Sequence, residues 1–380
     1  VEFGFAWFIV PLAAAFGLGW LASRLDRWQT GREPKEAPRA YFKGLTFLLN
    51  EQQDKAIDAF IEAVRLDPQT VELQFALGNL FRRRGEFERS VRVHQSLVER
   101  ADLPAADRER AQFELAADFL KAGLLDRAER AFGALKTGRF ATEAHQALLQ
   151  IAERTKDWPA AIAAAQALEQ RGAGAYGRWV AQYRCELAEA AHARGELAQA
   201  EALLSDALKA NPSCVRALLL RGDWQAAAGD WDRAVDTWCS IEAVAGEFIA
   251  LAAQRLATVP PEVAARKRLR ARLSSWIEQQ PSADVLEARL AQSADDADRR
   301  AVGERYLARH PTLAAARRAL SLAPDAPAVL EGVTAALDRA LGARQRFRCA
   351  SCGFEARSYF WQCPGCLGWE SYPPRRMDEQ

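Results

Sequence analysis

The stretch Ala40–Pro68, AYFKGLTFLLNEQQDKAIDAFIEAVRLDP, decides the fold. It reads as two short helices joined by a turn, with Pro68 stopping the second. Its spacing returns along the chain with a period of about 34 residues. The small residue Gly44 recurs as Gly78, Ala116, Ala188 and Gly222, with Leu149 departing in the fourth unit. Twelve residues further stand Ala56, Ser90, Ala128, Ala161, Ala200 and Ala234. Four beyond those come Phe60, His94, Phe132, Ala165, Leu204 and Trp238.

Glycines break the text between paired helices at Gly85, Gly123, Gly195 and Gly229. The physical reading is a stack of helix–turn–helix pairs. One small residue lets the two helices of a pair approach, the second lets the pair meet its neighbour, and the larger side chain fills the hole between pairs. No single pair can bury its apolar face, so pairs must stack. The pattern resembles the tetratricopeptide repeat. Six units span residues 37–245, and residues 246–343 read as degenerate helical repeats. Between Ala37 and Gly342 there is room for about nine units of that length. The degenerate part carries Arg266, Lys267, Arg268, Arg270 and Arg272. They read either as a solvated helix face or as a patch for an acidic partner or anionic lipid.

Outward to the N-terminus, Phe3–Ala22 (FGFAWFIVPLAAAFGLGWLA) holds 20 residues without a charge. As a helix it would span ~30 Å, the thickness of a bilayer core. Residues 1–23 therefore read as a transmembrane anchor and 24–36 as a basic juxtamembrane linker. Arg24, Arg27, Arg32 and Lys35 follow the run, while only Glu2 precedes it. The positive-inside rule then puts everything after Arg24 on the cytoplasmic side of the membrane.

At the other end, RFRCASCGFEARSYFWQCPGCLGWESYPP carries Cys349, Cys352, Cys363 and Cys366. Two C-x2-C knuckles separated by ten residues can face each other and cage one ion in four sulfurs. Residues 344–376 are too few for an independent core, so a bound metal must help them fold. Zinc is the structural default and iron also suits four thiolates. Phe347, Phe354, Tyr359, Phe360, Trp361, Trp369 and Tyr372 are expected to pack around the cage and dock it on the last helices. The spacing looks like a rubredoxin-type ribbon. Rubredoxin knuckles place glycine directly after the second cysteine; Gly353 fits, whereas Leu367 intervenes before Gly368.

Composition excludes several classes. The 380 residues include 51 Lys and Arg against 50 Asp and Glu, a net charge of +1, which argues against a general nucleic-acid binder. Seven cysteines are too few for a disulfide scaffold. There is no Walker loop, GxSxG elbow, HExxH or GxGxxG after a strand. His94, His145, His192 and His310 lie far apart in helical text, and Cys185, Cys214 and Cys239 are lone thiols. No catalytic constellation and no small-molecule substrate are expected. The fold class is thus all-α: a tetratricopeptide-repeat superhelix with an N-terminal transmembrane helix and a small rubredoxin-like metal ribbon.

Anchor, repeats and ribbon in this order resemble the lipopolysaccharide assembly protein B family of Gram-negative bacteria. The most specific parts are Cys352–Trp369 and the exit GWLASR at Gly19–Arg24. The resemblance implies a non-enzymatic regulator at the inner membrane that presents the LpxC deacetylase to the FtsH protease, linked to the small membrane protein LapA and to an inner-membrane lipopolysaccharide sensor. By the repeat's usual register, inward-facing candidates for partner binding are Tyr41, Phe75, Asn79, Arg82, Phe113, Glu189, Arg216 and Asp223. Two other readings are an assembly platform for envelope enzymes without a proteolytic role and a rubredoxin-type electron-transfer protein. A peptide-tail co-chaperone fits poorly, because Tyr41 and Leu45 occupy positions expected to be polar.

Overall fold

The computed structural model describes residues 15–16, 18–20, 36–50, 52–67, 70–310, 312–322, 338, 341 and 346–377. The expected anchor and linker, 1–36, lie outside these apart from six residues. Among the described residues no helix is long and apolar enough to cross a membrane. The chain divides into two compact units at Ile151 and Ala152.

The first unit is a run of helical hairpins. Its helices are α1 (Glu36–Leu49), α2 (Gln53–Leu66), α3 (Val71–Arg84), α4 (Phe87–Glu99), α5 (Ala105–Lys121), α6 (Leu125–Gly133) and the greater part of α7 (Ala141–Thr155). The volume pattern read from the sequence explains the packing. Ala56, Ser90 and Ala128 are fully buried, and Phe60, His94 and Phe132 lie beneath the surface with them. Gly44 faces the Phe60 ring, and a Cβ on Gly44 would stand 3.1 Å from it. Gly78 faces His94 so closely that a Cβ would lie 2.4 Å from Nε2. His94 is held from its other side by Asp118, with Nδ1 2.6 Å from the carboxylate.

The second unit continues with α8 (Trp158–Gln170), α9 (Gly177–Ala193), α10 (Leu197–Ala210), α11 (Val215–Ala227) and α12 (Trp231–Cys239). The register persists: Ala161, Ala200 and Ala234 are fully buried, and Trp238 fills the space over Gly222. The regular pattern ends at α13 (Ile241–Ala245) and a 3-10 turn, Gly246–Phe248. Helices nevertheless go on as α14 (Ile249–Leu256), α15 (Arg266–Gln279), α16 (Ala283–Ala291), α17 (Asp296–Arg309) and α18 (Leu313–Ser321). Trp238, Leu256, Leu273, Trp276 and Val285 share one core, so this degenerate part continues the core of the sixth pair. The basic helix α15 is partly spent internally: Arg266 binds Gln292 and Arg272 pairs with Glu242.

Five turns inside the pairs have one geometry. Gly85, Gly123, Gly195 and Gly229 adopt left-handed φ values of 77–83°, the backbone region where a side chain is disfavoured. In the fourth pair the same place is taken by Lys156, with φ 57°.

Candidate functional site

The ribbon is two hairpins, each bearing a C-x2-C at its tip. Strands β1 (Phe347–Arg348) and β2 (Glu355–Ala356) pair antiparallel, with Phe347 opposite Ala356. A bridge between Gln362 and Trp369 closes the second hairpin. Both knuckles use one hydrogen-bond scheme. Cys349 N–H donates to Phe354 O at 2.9 Å and Gly353 N–H to Cys349 O at 2.9 Å. Likewise Cys363 N–H donates to Gly368 O at 2.9 Å and Leu367 N–H to Cys363 O at 2.8 Å. Leu367 therefore stands where Gly353 stands in the first knuckle. It takes the glycine conformation, φ 59° against 76°, with its side chain exposed. The departure from the glycine rule changes the residue, not the turn.

The two knuckles bring the four cysteine sulfurs within 4.8 Å of one another. Cys352 Sγ is 3.6 Å from Cys363 Sγ, and Cys349 Sγ is 3.8 Å from Cys366 Sγ. A disulfide needs about 2.05 Å. Four sulfurs at about 2.3 Å from a shared tetrahedral ion would stand about 3.8 Å apart, so the spacing fits one ion. Cys349 and Cys363 are buried and Cys352 and Cys366 lie at the surface.

The charges point the same way. Burial disfavours a thiolate at Cys349, but the Ser371 hydroxyl and the N–H groups of Cys352 and Ser351 outweigh it and bring its pKa down to about 6. At Cys352 the Phe354 N–H favours the thiolate, yet burial and the neighbouring sulfurs push the thiol up to about 12. Four sulfurs this close cannot all carry a charge without a cation among them.

The ribbon is fastened to helices of its own unit. Trp369 meets Trp158 and Tyr183 edge to face, with ring centroids 6.4 and 6.0 Å away. Glu370 pairs with Arg178 and accepts from Gln182 Nε2 at 2.9 Å. Tyr183 OH donates to Glu153 at 2.6 Å, and burial together with that carboxylate raises the phenol. Trp361 stacks on Phe248, and Arg376 reaches Asp284 at 3.2 Å. Docking on the last helices alone is thus corrected: the second knuckle rests on α8 and α9, because the complement to Trp369 and Glu370 is the aromatic and polar face of those helices. Trp158, Arg178, Gln182 and Tyr183 escaped the sequence reading, and only the exposed-looking aromatics of the ribbon hinted that a partner surface must exist.

The residues expected to face a partner are mostly engaged within the chain. Tyr41 lies in α1, and its side chain is outside the described residues. Phe75 is buried in the core, with Arg110 4.1 Å above its ring. Arg82 binds Asn79, Glu114 and Asp118. Phe113 stacks on Phe140 at 4.6 Å. Arg216 is buried between Glu186 and Glu189, and Asp223 accepts from Arg255 at 2.6 Å and from Trp238 Nε1 at 3.2 Å. The structure joins Asn79 to Arg82 and Glu189 to Arg216.

Comparison with known proteins matches these parts one by one. A tetratricopeptide repeat family model matches residues 41–103 and 185–248. A rubredoxin metal binding domain model matches residues 347–373. Among solved structures, YrrB, described as a TPR protein with an unusual peptide-binding site, is 14% identical, with 50% of this chain and 94% of that chain covered and a TM-score of 0.34. Lipopolysaccharide assembly protein B of Haemophilus influenzae is 27% identical, with 96% of each chain covered. That of Escherichia coli is 32% identical, with 97% of each covered. The chain belongs to the lipopolysaccharide assembly protein B family.

Proposed function

We propose that this chain is a membrane-tethered, non-enzymatic adaptor in lipopolysaccharide assembly, with one zinc or iron ion held by Cys349, Cys352, Cys363 and Cys366. The observation that carries this reading is the fastening of the ribbon to the repeats through Trp369, Glu370 and Arg376. A helical scaffold whose far end is locked by a thiolate cage suits presentation of one protein to another, and similarity over 97% of the E. coli protein's length supports the same role.

In the finer form of the proposal, the apolar run Phe3–Ala22 holds the chain at the inner membrane with its bulk on the cytoplasmic side. Confinement to the membrane plane raises its effective concentration near membrane partners. The repeats present an LpxC-type deacetylase to an FtsH-type membrane protease, and a LapA-type small membrane protein and an inner-membrane lipopolysaccharide sensor tune that encounter. The test is the half-life of the deacetylase in cells carrying the wild type, a deletion of the gene, or the Cys349→Ser, Cys352→Ser double variant. The deletion and the double variant are expected to lengthen it alike. An unchanged half-life in the deletion overturns the proteolytic role and leaves the assembly platform. Metal analysis of the purified chain decides between zinc and iron, the iron form being coloured and redox-active.

A further inference from the structure

One cleft of the second unit is used by neither the ribbon nor its dock. It lies between α15, α16 and α17, encloses about 40 Å³, and draws Ser274, Glu278, Arg289, Arg305, Arg309 and His310 to its lining. At roughly 10–15 Å³ per water, that is room for about three waters, the size of one tetrahedral oxyanion.

The cations around it differ in how they are held. Arg289 is 8% exposed and fixed from behind. Its guanidinium spans both oxygens of Asp298 at 3.0 and 2.8 Å, and Nε donates to Ser274 at 2.9 Å. Arg309 is paired with Glu278 at the rim. Those two pairs cancel in charge. Arg305 is exposed and has no ion pair or hydrogen bond among the described residues, so the cleft keeps one uncompensated guanidinium, with the His310 imidazole beside it. A guanidinium left without a partner at the edge of a volume of this size suits a phosphate oxygen, and a terminal phosphate carries more charge than the Glu278 carboxylate with which it would share Arg309.

We propose that this cleft binds a terminal phosphate group, with Arg305 and Arg309 closing on its oxygens and Arg289 and Ser274 orienting it. The group belongs either to a small soluble phosphomonoester or to a lipid headgroup, and the chemistry is the same in both.

The test uses the full chain in nonionic detergent, with inorganic phosphate as the probe and potassium chloride at matched ionic strength as the control. Phosphate is expected to raise the unfolding midpoint saturably and to slow hydrogen exchange across residues 296–310. Arg305→Gln removes no interior contact, so it folds, and it is expected to weaken phosphate binding about tenfold, whereas Arg305→Lys stays within about threefold of wild type. A chloride response equal to that of phosphate, or wild-type titration by Arg305→Gln, overturns the site. Micelles doped with phosphatidic acid or with phosphatidylglycerol separate the sources. Displacement of phosphate by phosphatidic acid alone assigns a lipid headgroup. Phosphate binding that neither lipid displaces assigns a soluble phosphomonoester. Equal displacement by both lipids overturns selectivity for a terminal phosphate and with it the proposal.

Discussion

The sixth helical pair and the ribbon each hold a short piece of chain in one shape, by opposite means. In the pair, Trp238 sits over Gly222 and is 2% exposed, inside a core shared with Leu256, Leu273 and Trp276. Stability there is spread over many buried apolar side chains, each worth about 1.5–3 kcal/mol. Among the described residues of the ribbon the buried cluster is Phe347, Cys349, Cys363 and Tyr372, with Ala356 and Tyr359 half-buried against it. Too little apolar surface is removed from water for a chain of that size, so order depends on what the four sulfurs hold. The repeats should therefore fail by degrees and the ribbon all at once.

The largest expected effect breaks the ribbon. The Cys349→Ser, Cys352→Ser double variant, or a chelator strong enough to compete for a structural thiolate site, should remove exchange protection across residues 347–373. The binding energy at stake is about 10–16 kcal/mol for sites of this kind. Loss of Trp369 from its place against Trp158 and Tyr183 should alter tryptophan fluorescence, while α1–α6 keep their protection. Loss of protection throughout α1–α6 would mean that the two regions are not separate in stability.

Next comes a graded break in the repeats. Trp238→Ala should cost about 3–5 kcal/mol by leaving a cavity, read as a lower denaturant midpoint, with the metal retained. Glycine replacements then sharpen the scale. A Cβ at position 222 would lie 2.3 Å from the Trp238 indole nitrogen. Overpacking of about 1–3 kcal/mol there outweighs the gain of about 1 kcal/mol in helix propensity, so Gly222→Ala should destabilise. At position 44 the same Cβ would stand 3.1 Å from Phe60, and the ring need yield only slightly. Gly44→Ala should fall within about 0.5 kcal/mol of wild type, with the two effects cancelling.

These contrasts also explain what could be read in the sequence. Stacked pairs impose a volume rule at fixed spacing, so Ala56, Ala161 and Ala234 announce their burial. A four-sulfur cage imposes a spacing rule, so the cysteines announce themselves too. The dock obeys neither. Glu370 and Arg178 are 192 residues apart, and nothing in the local pattern of either names the other. The engagement of Arg82 and Arg216 was hidden for a related reason: repeat register says which way a side chain points, but not that Glu114 or Glu186 waits there to neutralise it.

Two further small effects, of stabilising sign, sit where both regions use one backbone device without glycine. At Gly85 the left-handed residue donates its N–H to Arg82 O at 3.1 Å, and the next residue donates to Phe81 O at 2.9 Å. Lys156 and Asp157 repeat this with Glu153 O at 3.3 Å and Ala152 O at 2.9 Å. In the ribbon, Leu367 repeats the role of Gly353. A side chain in this region costs about 1–2 kcal/mol. The extra freedom of an unfolded glycine gives back roughly 0.5–1 kcal/mol of that. Lys156→Gly and Leu367→Gly should each therefore stabilise by about 0.5–1 kcal/mol. The readouts differ with the region. Lys156→Gly should raise the denaturant midpoint and leave metal release unchanged. Leu367→Gly should slow metal release to a chelator about two- to fivefold, the same energy expressed as a ratio of rates, and leave the midpoint of the repeats where it was. If instead both variants moved both readouts together, the ribbon and the repeats of the second unit would be one cooperative structure, and the distinction between graded and all-or-none failure would be lost.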